Sequence, residues 1–278
     1  MNNENLAFLQ DSLKYLGFGE SNHLQDQLEL QLERGPKDFQ LFTEAYYEDD
    51  CKVEAALYFR KGEKIDMYFF NKYEALLRNT AEPDLNRRQV FYINRGKGIT
   101  FKEAYNLLQS RAVYKELTNK EGEKYMAWLQ IDFEQKTDHG NHRVRQYGTR
   151  YGYNLDDALN VYPIVELGMP ETKSTLVSSL KKGNLHMVHF RKPHKIVRMM
   201  IAANPQYKSL NIYPFPLAAG SKPGKKKDPF PLQPVPEDPG EQLAEVWEDE
   251  EIGDAEEIDV DEIRPAVSKP AVRKKSRA

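Results

Sequence analysis

TFKEAYNLLQSRAVYKELTNKEGEKYMAWLQIDF, residues 100–133, carries a helix start, a helix, a strand, a polar turn and a second strand in one unbroken run. Thr100 and Glu103 form a T-x-x-E capping box, in which hydroxyl and carboxylate each accept from a backbone amide that the first helical turn leaves unpaired. The helix is predicted to reach about Ser110. Alternation from Ala112 to Leu117, a Lys120-Glu121-Gly122-Glu123 turn and the period-2 run Tyr125, Ala127, Leu129, Ile131, Phe133 then predict a hairpin with one apolar face.

The same order returns further along. A helix from about Glu171 ends at Lys181-Lys182-Gly183, basic residues plus glycine as a helix C-terminus prefers. Strands at 186–190, 195–202 and 208–213 follow, so helix, strand, turn, strand occurs twice, as topology without repeated residue identities. Between the two copies, a strand over 143–151 and a short helix capped by Asn154 and Asp157 are expected.

Upstream, Leu6, Leu9, Leu13 and Leu16 stop at Gly17, and Leu24, Leu28 and Leu32 run to Gly35-Pro36. Both sets have helical spacing and predict an amphipathic helix pair. Period-2 stretches follow at Phe39–Tyr47 and Val53–Phe59, then an aromatic-rich run from Ile65 to Tyr73 and a strand over 89–94. The polar stretch 79–88 is the best internal boundary, the alternative being a long loop. The expected architecture is α+β: residues 1–86 as a helix pair with a small antiparallel sheet, 87–214 as a duplicated αββ unit, and 215–278 as a disordered tail.

Several segments resemble a domain-of-unknown-function family of hypothetical proteins common on conjugative transposons and related mobile elements of Bacteroidota. They are GKGITFKEAYNLLQSRAVYKELTNKEGEKYMAWLQIDF at 96–133, YGYNLDDAL at 151–159, SLKKGN at 179–184 and AANPQYKSLNIY at 202–213. MYFFNKY at 67–73 is similar to the region that often precedes that domain. The resemblance implies an accessory protein of a mobile element, in a family whose relatives occur beside DNA-processing domains. It supplies no catalytic residue to carry over.

Composition bounds the remaining choices. The first 214 residues contain all 16 tyrosines, whereas the last 64 hold 9 of the 16 prolines and no tyrosine. Charge divides at the same place: 30 basic and 28 acidic residues before Phe215, 10 and 15 from it onward. In the second part a lysine cluster (Lys222, Lys225, Lys226, Lys227) gives way to 14 acidic residues between Glu237 and Glu262 with no basic one among them. So polar a stretch cannot offset the entropy of ordering on its own. Leu243, Val246, Trp247 and Ile252 nevertheless punctuate it, and the first three fit a helical turn on a partner. The stretch could equally solvate, or fold back on the body's own cations.

Cys51 is the sole cysteine, which fits a reducing compartment and predicts a cytoplasmic protein. No run approaches the ~20 apolar residues of a membrane span. There is no Walker loop, G-x-S-x-G, H-E-x-x-H or glycine-rich dinucleotide turn, so no catalytic residue and no cofactor is assigned. His186 and His189, three apart on a predicted strand, point to opposite faces, and His189 with His194, which could approach across the Lys192-Pro193 turn, lacks a clear third ligand, so no metal is expected. Candidate nucleic-acid contacts are Arg143, Arg145, Tyr147, Arg150 and Tyr151 on one strand, and Lys181, Lys182, Arg191, Lys192, Lys195 and Arg198 in a second cluster. A solvated strand face with long side chains over apolar neighbours is the plainer reading of both. The function expected is a non-enzymatic adaptor for a protein or for DNA or RNA, with a nucleic-acid-binding protein proper and an enzyme of unfamiliar type as the rival readings.

Overall fold

A computed structural model describes residues 2–19, 22–48, 51–80, 83–94, 96–119, 122–137, 140–215 and 245–246. The fold is α+β, with N-terminal helices and antiparallel sheets.

Helix α1 (Asn3–Tyr15) starts where the Asn2 side chain accepts from the amides of Glu4 and Asn5, both at 3.1 Å. It ends before Gly17, at φ 78°. Its Leu9 and Leu13, with Leu16 at the C-cap, are fully buried, as are Leu24 and Leu28 of α2 (Asn22–Arg34) to within a per cent.

Both helices lie on one face of an antiparallel sheet of order β1-β2-β3-β4-β5: Asp38–Glu48, Cys51–Lys61, Tyr68–Asn79, Arg87–Asn94 and Lys97–Gly98. Odd positions of β2, from Val53 to Phe59, face the helices and even ones face outward. In β3 the buried set changes from Tyr68 and Phe70 to Tyr73, Ala75 and Leu77. The register shifts there, Tyr58 pairing Lys72 but Phe59 pairing Phe70. Asn71 is thus the extra residue of a bulge, which restores the inward face after an odd insertion. Phe59 stacks between Phe39 and Phe70, at 4.7 and 4.8 Å. Burying each such ring contributes about 1.5–3 kcal/mol.

The capping box is present: Thr100 N–H donates to Glu103 Oε2 at 2.8 Å and Glu103 N–H to Thr100 Oγ1 at 3.3 Å. It opens α3 (Phe101–Leu108), followed by β6 (Val113–Thr118), β7 (Lys124–Lys136) and β8 (His142–Gly148). After a 3-10 turn at Thr149–Tyr151 and helix α4 (Leu155–Asn160), α5 (Pro170–Lys181) leads into β9 (His186–Lys192), β10 (Lys195–Asn204) and β11 (Ser209–Pro214). The two helix-strand-strand runs, α3-β6-β7 and α5-β9-β10, match the expected topology. A two-residue strand β12 (Glu245–Val246) pairs with β8, completing the order β12-β8-β7-β6. The remainder of the predicted disordered tail lies outside the described residues.

Two buried clusters organise these elements. One joins α1, α2, the first sheet and α3 with Val113, Leu129 and Ile131. The other joins Trp128, Tyr147 and Tyr151 with α4, α5 and β9–β11. Strand β7 is therefore buried on both faces, Leu129 toward one core and Trp128 toward the other, where only one apolar face is predicted.

The boundary expected between residues 86 and 87 needs correction. It falls between β3 and β4, which pair from Lys72–Tyr92 to Leu77–Arg87, and α3 packs in the first core. The polar stretch 79–88 is a connection between neighbouring strands of one sheet. The strand expected over 143–151 also stops earlier, because the chain turns at Thr149–Tyr151.

Candidate functional site

The outward face of the first sheet carries the densest exposed aromatic grouping. Because β1 and β2 bury their odd positions, Phe42, Tyr46 and Tyr58 point away from the helices, as does Tyr92 of β4. Phe42 and Tyr46 are 62% and 66% exposed. Phe42 stands opposite Ala56, whose methyl group offers it no cover. Across the sheet Tyr58 pairs Lys72 and Lys72 pairs Tyr92, and the Lys72 ammonium lies 5.4 and 5.9 Å from the two rings. Each exposed cation–ring contact contributes about 0.5–1 kcal/mol.

Apart from Lys72, the cations named on this face are paired with carboxylates. Lys52 bridges Glu44 at 3.0 Å and Glu54 at 2.9 Å, Arg78 reaches Glu54 at 2.8 Å, and Arg88 reaches Glu74 at 3.3 Å. Hydrogen bonds donated to Glu54 and Glu44 hold the Lys52 ammonium above its ordinary pKa, and the bond from Arg78 holds Glu54 below its own. The surface is thus aromatic and charge-balanced. Sequence reading passed over it, although large aromatic residues at the polar positions of an alternating strand were a visible signal.

The strand predicted to stack bases does something else. Tyr147 and Tyr151 are buried and pack edge to face at 4.8 Å, and burial pushes the Tyr147 hydroxyl up to about 12. The Tyr151 hydroxyl donates to the Gln206 carbonyl at 2.7 Å. Both rings are core, and neither offers a face to a nucleobase. Arg145 donates from Nε and Nη2 to Asp132 Oδ2, at 3.0 and 2.6 Å, while Arg143 donates to Gln135 Oε1 at 3.0 Å. Arg150 alone of the five is exposed, on the 3-10 turn.

The second predicted cluster is divided. Lys181 and Lys182 end α5, with the Lys181 ammonium 5.2 Å from the Tyr114 ring. Lys192 and Lys195 pair at the mouth of the β9–β10 hairpin, on the face that carries Phe190 and Val197. Arg191 and Arg198 occupy the opposite face with Ile196, which is 61% exposed, and the Arg198 guanidinium covers the Phe215 ring at 4.6 Å. Next to Arg198, His189 Nδ1 meets Glu166 Oε1 at 2.6 Å. Among the described residues no three His, Cys, Asp or Glu side chains are placed to hold a metal ion. No helix among them is long and apolar enough to cross a membrane.

Of the tail residues singled out, Leu243, Trp247 and Ile252 lie outside the described residues. Val246 is within them, in a strand instead of the helical turn its spacing suggested: it pairs with Arg145, and Glu245 pairs with Gln146. Comparison with family models, curated proteins and solved structures finds no match, so the family resemblance rests on the sequence segments alone.

Proposed function

We propose that this protein is a non-enzymatic adaptor that docks a protein partner on the outward face of the first sheet, as an accessory of a mobile element. The observation that carries the reading is the outward-facing group of exposed Phe42, Tyr46 and Tyr92 with half-buried Tyr58 and Lys72, set among paired Arg, Lys and Glu side chains. Protein interfaces favour tyrosine, phenylalanine and arginine at their centres, with a polar rim. Phe42 and Tyr46 supply rigid apolar anchors, and the ion pairs around them are complementary to a partner of mixed charge. A polyanion requires unneutralised cations to release counterions, and Glu44, Glu54 and Glu74 already engage Lys52, Arg78 and Arg88, leaving Lys72 between two rings.

The replacement pair Phe42→Ser and Tyr46→Ser tests the proposal, since both side chains are largely in water and the fold does not depend on them. A partner that co-purifies stoichiometrically with the wild type, resists nuclease treatment and is lost from the variant supports the reading. Retention by the variant, or loss on nuclease treatment, overturns it.

A second reading draws on the outer face of β9–β11, where Arg191 and Arg198 have no carboxylate partner among the described residues and flank Ile196 and Phe215. This is where nucleic acid would bind, by phosphate contact and base stacking. A gel-shift salt series on the full chain and on Arg191→Glu/Arg198→Glu tests it. Binding that weakens steeply with salt and is lost in the variant would carry it, and no shift at low salt removes it.

A further inference from the structure

We infer that the outer face of β9–β11 selects single-stranded nucleic acid over the duplex, laying unpaired bases on its apolar side chains and phosphates against its arginines. This narrows the second reading above, on which it rests, to one class of ligand.

The positive charge of the body is concentrated here. Residues 172–215, which span α5 and β9–β11, hold eight basic residues and no acidic one. The 171 residues before them hold 22 basic and 28 acidic, so the near-neutral total conceals a cationic unit joined to an acidic one. Lys173 is paired with Asp156 at 2.7 Å, whereas Arg191, Lys195 and Arg198 have no carboxylate partner among the described residues. Glu166, which reaches this face from the flanking turn, is held by the amide and the ring of His189. Cations free of carboxylates are what counterion release from a phosphate chain requires.

Cations and apolar groups alternate on this face. Directly paired residues share a side, so Met187, His189 and Arg191 of β9 stand beside Met200, Arg198 and Ile196 of β10. Met199 pairs Pro214, which sets Phe215 next to Arg198, its ring 4.6 Å from the guanidinium. Met187, Ile196 and Phe215 are exposed. An unpaired strand offers base faces to such groups, whereas a duplex keeps its base faces stacked inside and can be read only through its grooves.

Width closes that second route. A two-stranded ribbon fits the ~12 Å major groove, but this hairpin is flanked on both sides. The Arg191 amide donates to the Pro163 carbonyl at 2.8 Å and Ile164 bridges Phe190, while β11 pairs with β10 on the other side. Four backbone segments abreast, three spacings of ~4.8 Å, span about 14 Å before side chains are added.

Fluorescence anisotropy on the full chain tests the inference, with labelled oligothymidine and the same strand annealed to its complement, each over a salt series. The expected result is affinity for the single strand at least tenfold above that for the duplex. Arg191→Ala and Arg198→Ala should each reduce the salt slope by about 0.7. Ile196→Ser with Phe215→Ser should weaken binding at least tenfold and leave the slope unchanged; all four side chains are exposed, so the fold does not depend on them. Duplex bound as tightly as single strand, wild-type affinity in the Ile196→Ser/Phe215→Ser chain, or heparin competing as well as oligothymidine at equal charge overturns the single-strand assignment while leaving phosphate contact in place. No binding of either probe at low salt, or binding indifferent to both arginine variants, overturns the nucleic-acid reading itself.

Discussion

Gln89 and His142 exchange two hydrogen bonds: Gln89 Nε2 donates to the His142 carbonyl at 3.0 Å, and the His142 amide donates to Gln89 Oε1 at 2.9 Å. A β4 side chain thereby acts as a strand partner for the first residue of β8. Asn141 adds a third link, its Oδ1 accepting from the Val90 amide at 3.0 Å. Gln89→Leu keeps the volume and removes both bonds, leaving two backbone groups unpaired in a buried site. Each costs about 1–3 kcal/mol, so the denaturant midpoint should fall clearly, whereas Gln40→Leu on the exposed face of β1 should leave it nearly unchanged.

Gly183 closes α5 at φ 78°, and a β-carbon there would lie 2.9 Å from both the Ala112 carbonyl oxygen and Val113 Cγ2. Gly35, at φ 67°, has open space around it. Substitution by alanine at either strains the backbone by about 1 kcal/mol. Gly183→Ala must in addition displace β6, so it should destabilise well beyond Gly35→Ala in parallel chemical denaturation.

Buried and exposed ion pairs should differ sharply. Asp132, only 8% exposed, receives both Arg145 bonds, while Lys124–Glu116 is mostly in water at both ends. Asp132→Ala leaves a partly buried guanidinium without its acceptor and should cost about 1–3 kcal/mol. Glu116→Ala should leave stability nearly unchanged, by urea titration of the two variants.

Acid should weaken the fold in two steps. Burial lowers the pKa of His142 and His186 below the ordinary 6.5, so the unfolded chain takes up protons that the native imidazoles resist, and stability begins to fall as pH drops below 6.5. Glu166 is partly desolvated, which alone would raise it, but the backbone and ring bonds of His189 outweigh burial and hold it below 4.5. Its contribution is present above 4.5 and lost as pH falls through the lower native value. Denaturant midpoints from pH 7.5 to 3.5 should show both steps, and Glu166→Gln should remove part of the second.

Element types were legible in the sequence wherever one face of an element is buried. Val53–Phe59 alternates cleanly because the other side of β2 meets water, and Thr100 with Glu103 announces α3 by local chemistry alone. Strand β7 was only half legible: a strand between two cores is apolar on both faces, so Trp128 broke a period-2 reading although it is as buried as Leu129. Tyr147 and Tyr151 looked like a stacking surface because a buried tyrosine and an exposed one are the same letter. The polar connectors Asn5, Gln89 and Asn106 carried no signal, since their partners lie 63, 53 and 76 residues away. The aromatic face of the first sheet lies at the outward positions of the alternation, where the letters Phe42 and Tyr46 do not say whether a neighbouring element covers them.

The sheet-face reading is tested most directly by a photo-reactive phenylalanine analogue at position 42 in the full chain, irradiated in the cells that make it, with Tyr15 on α1 as an equally exposed control position. The expected result is one discrete protein adduct from position 42, absent from position 15 and abolished by Lys72→Glu with Tyr92→Ser. Adducts that are identical at the two positions, that consist of nucleic acid, or that persist in the double variant would contradict it.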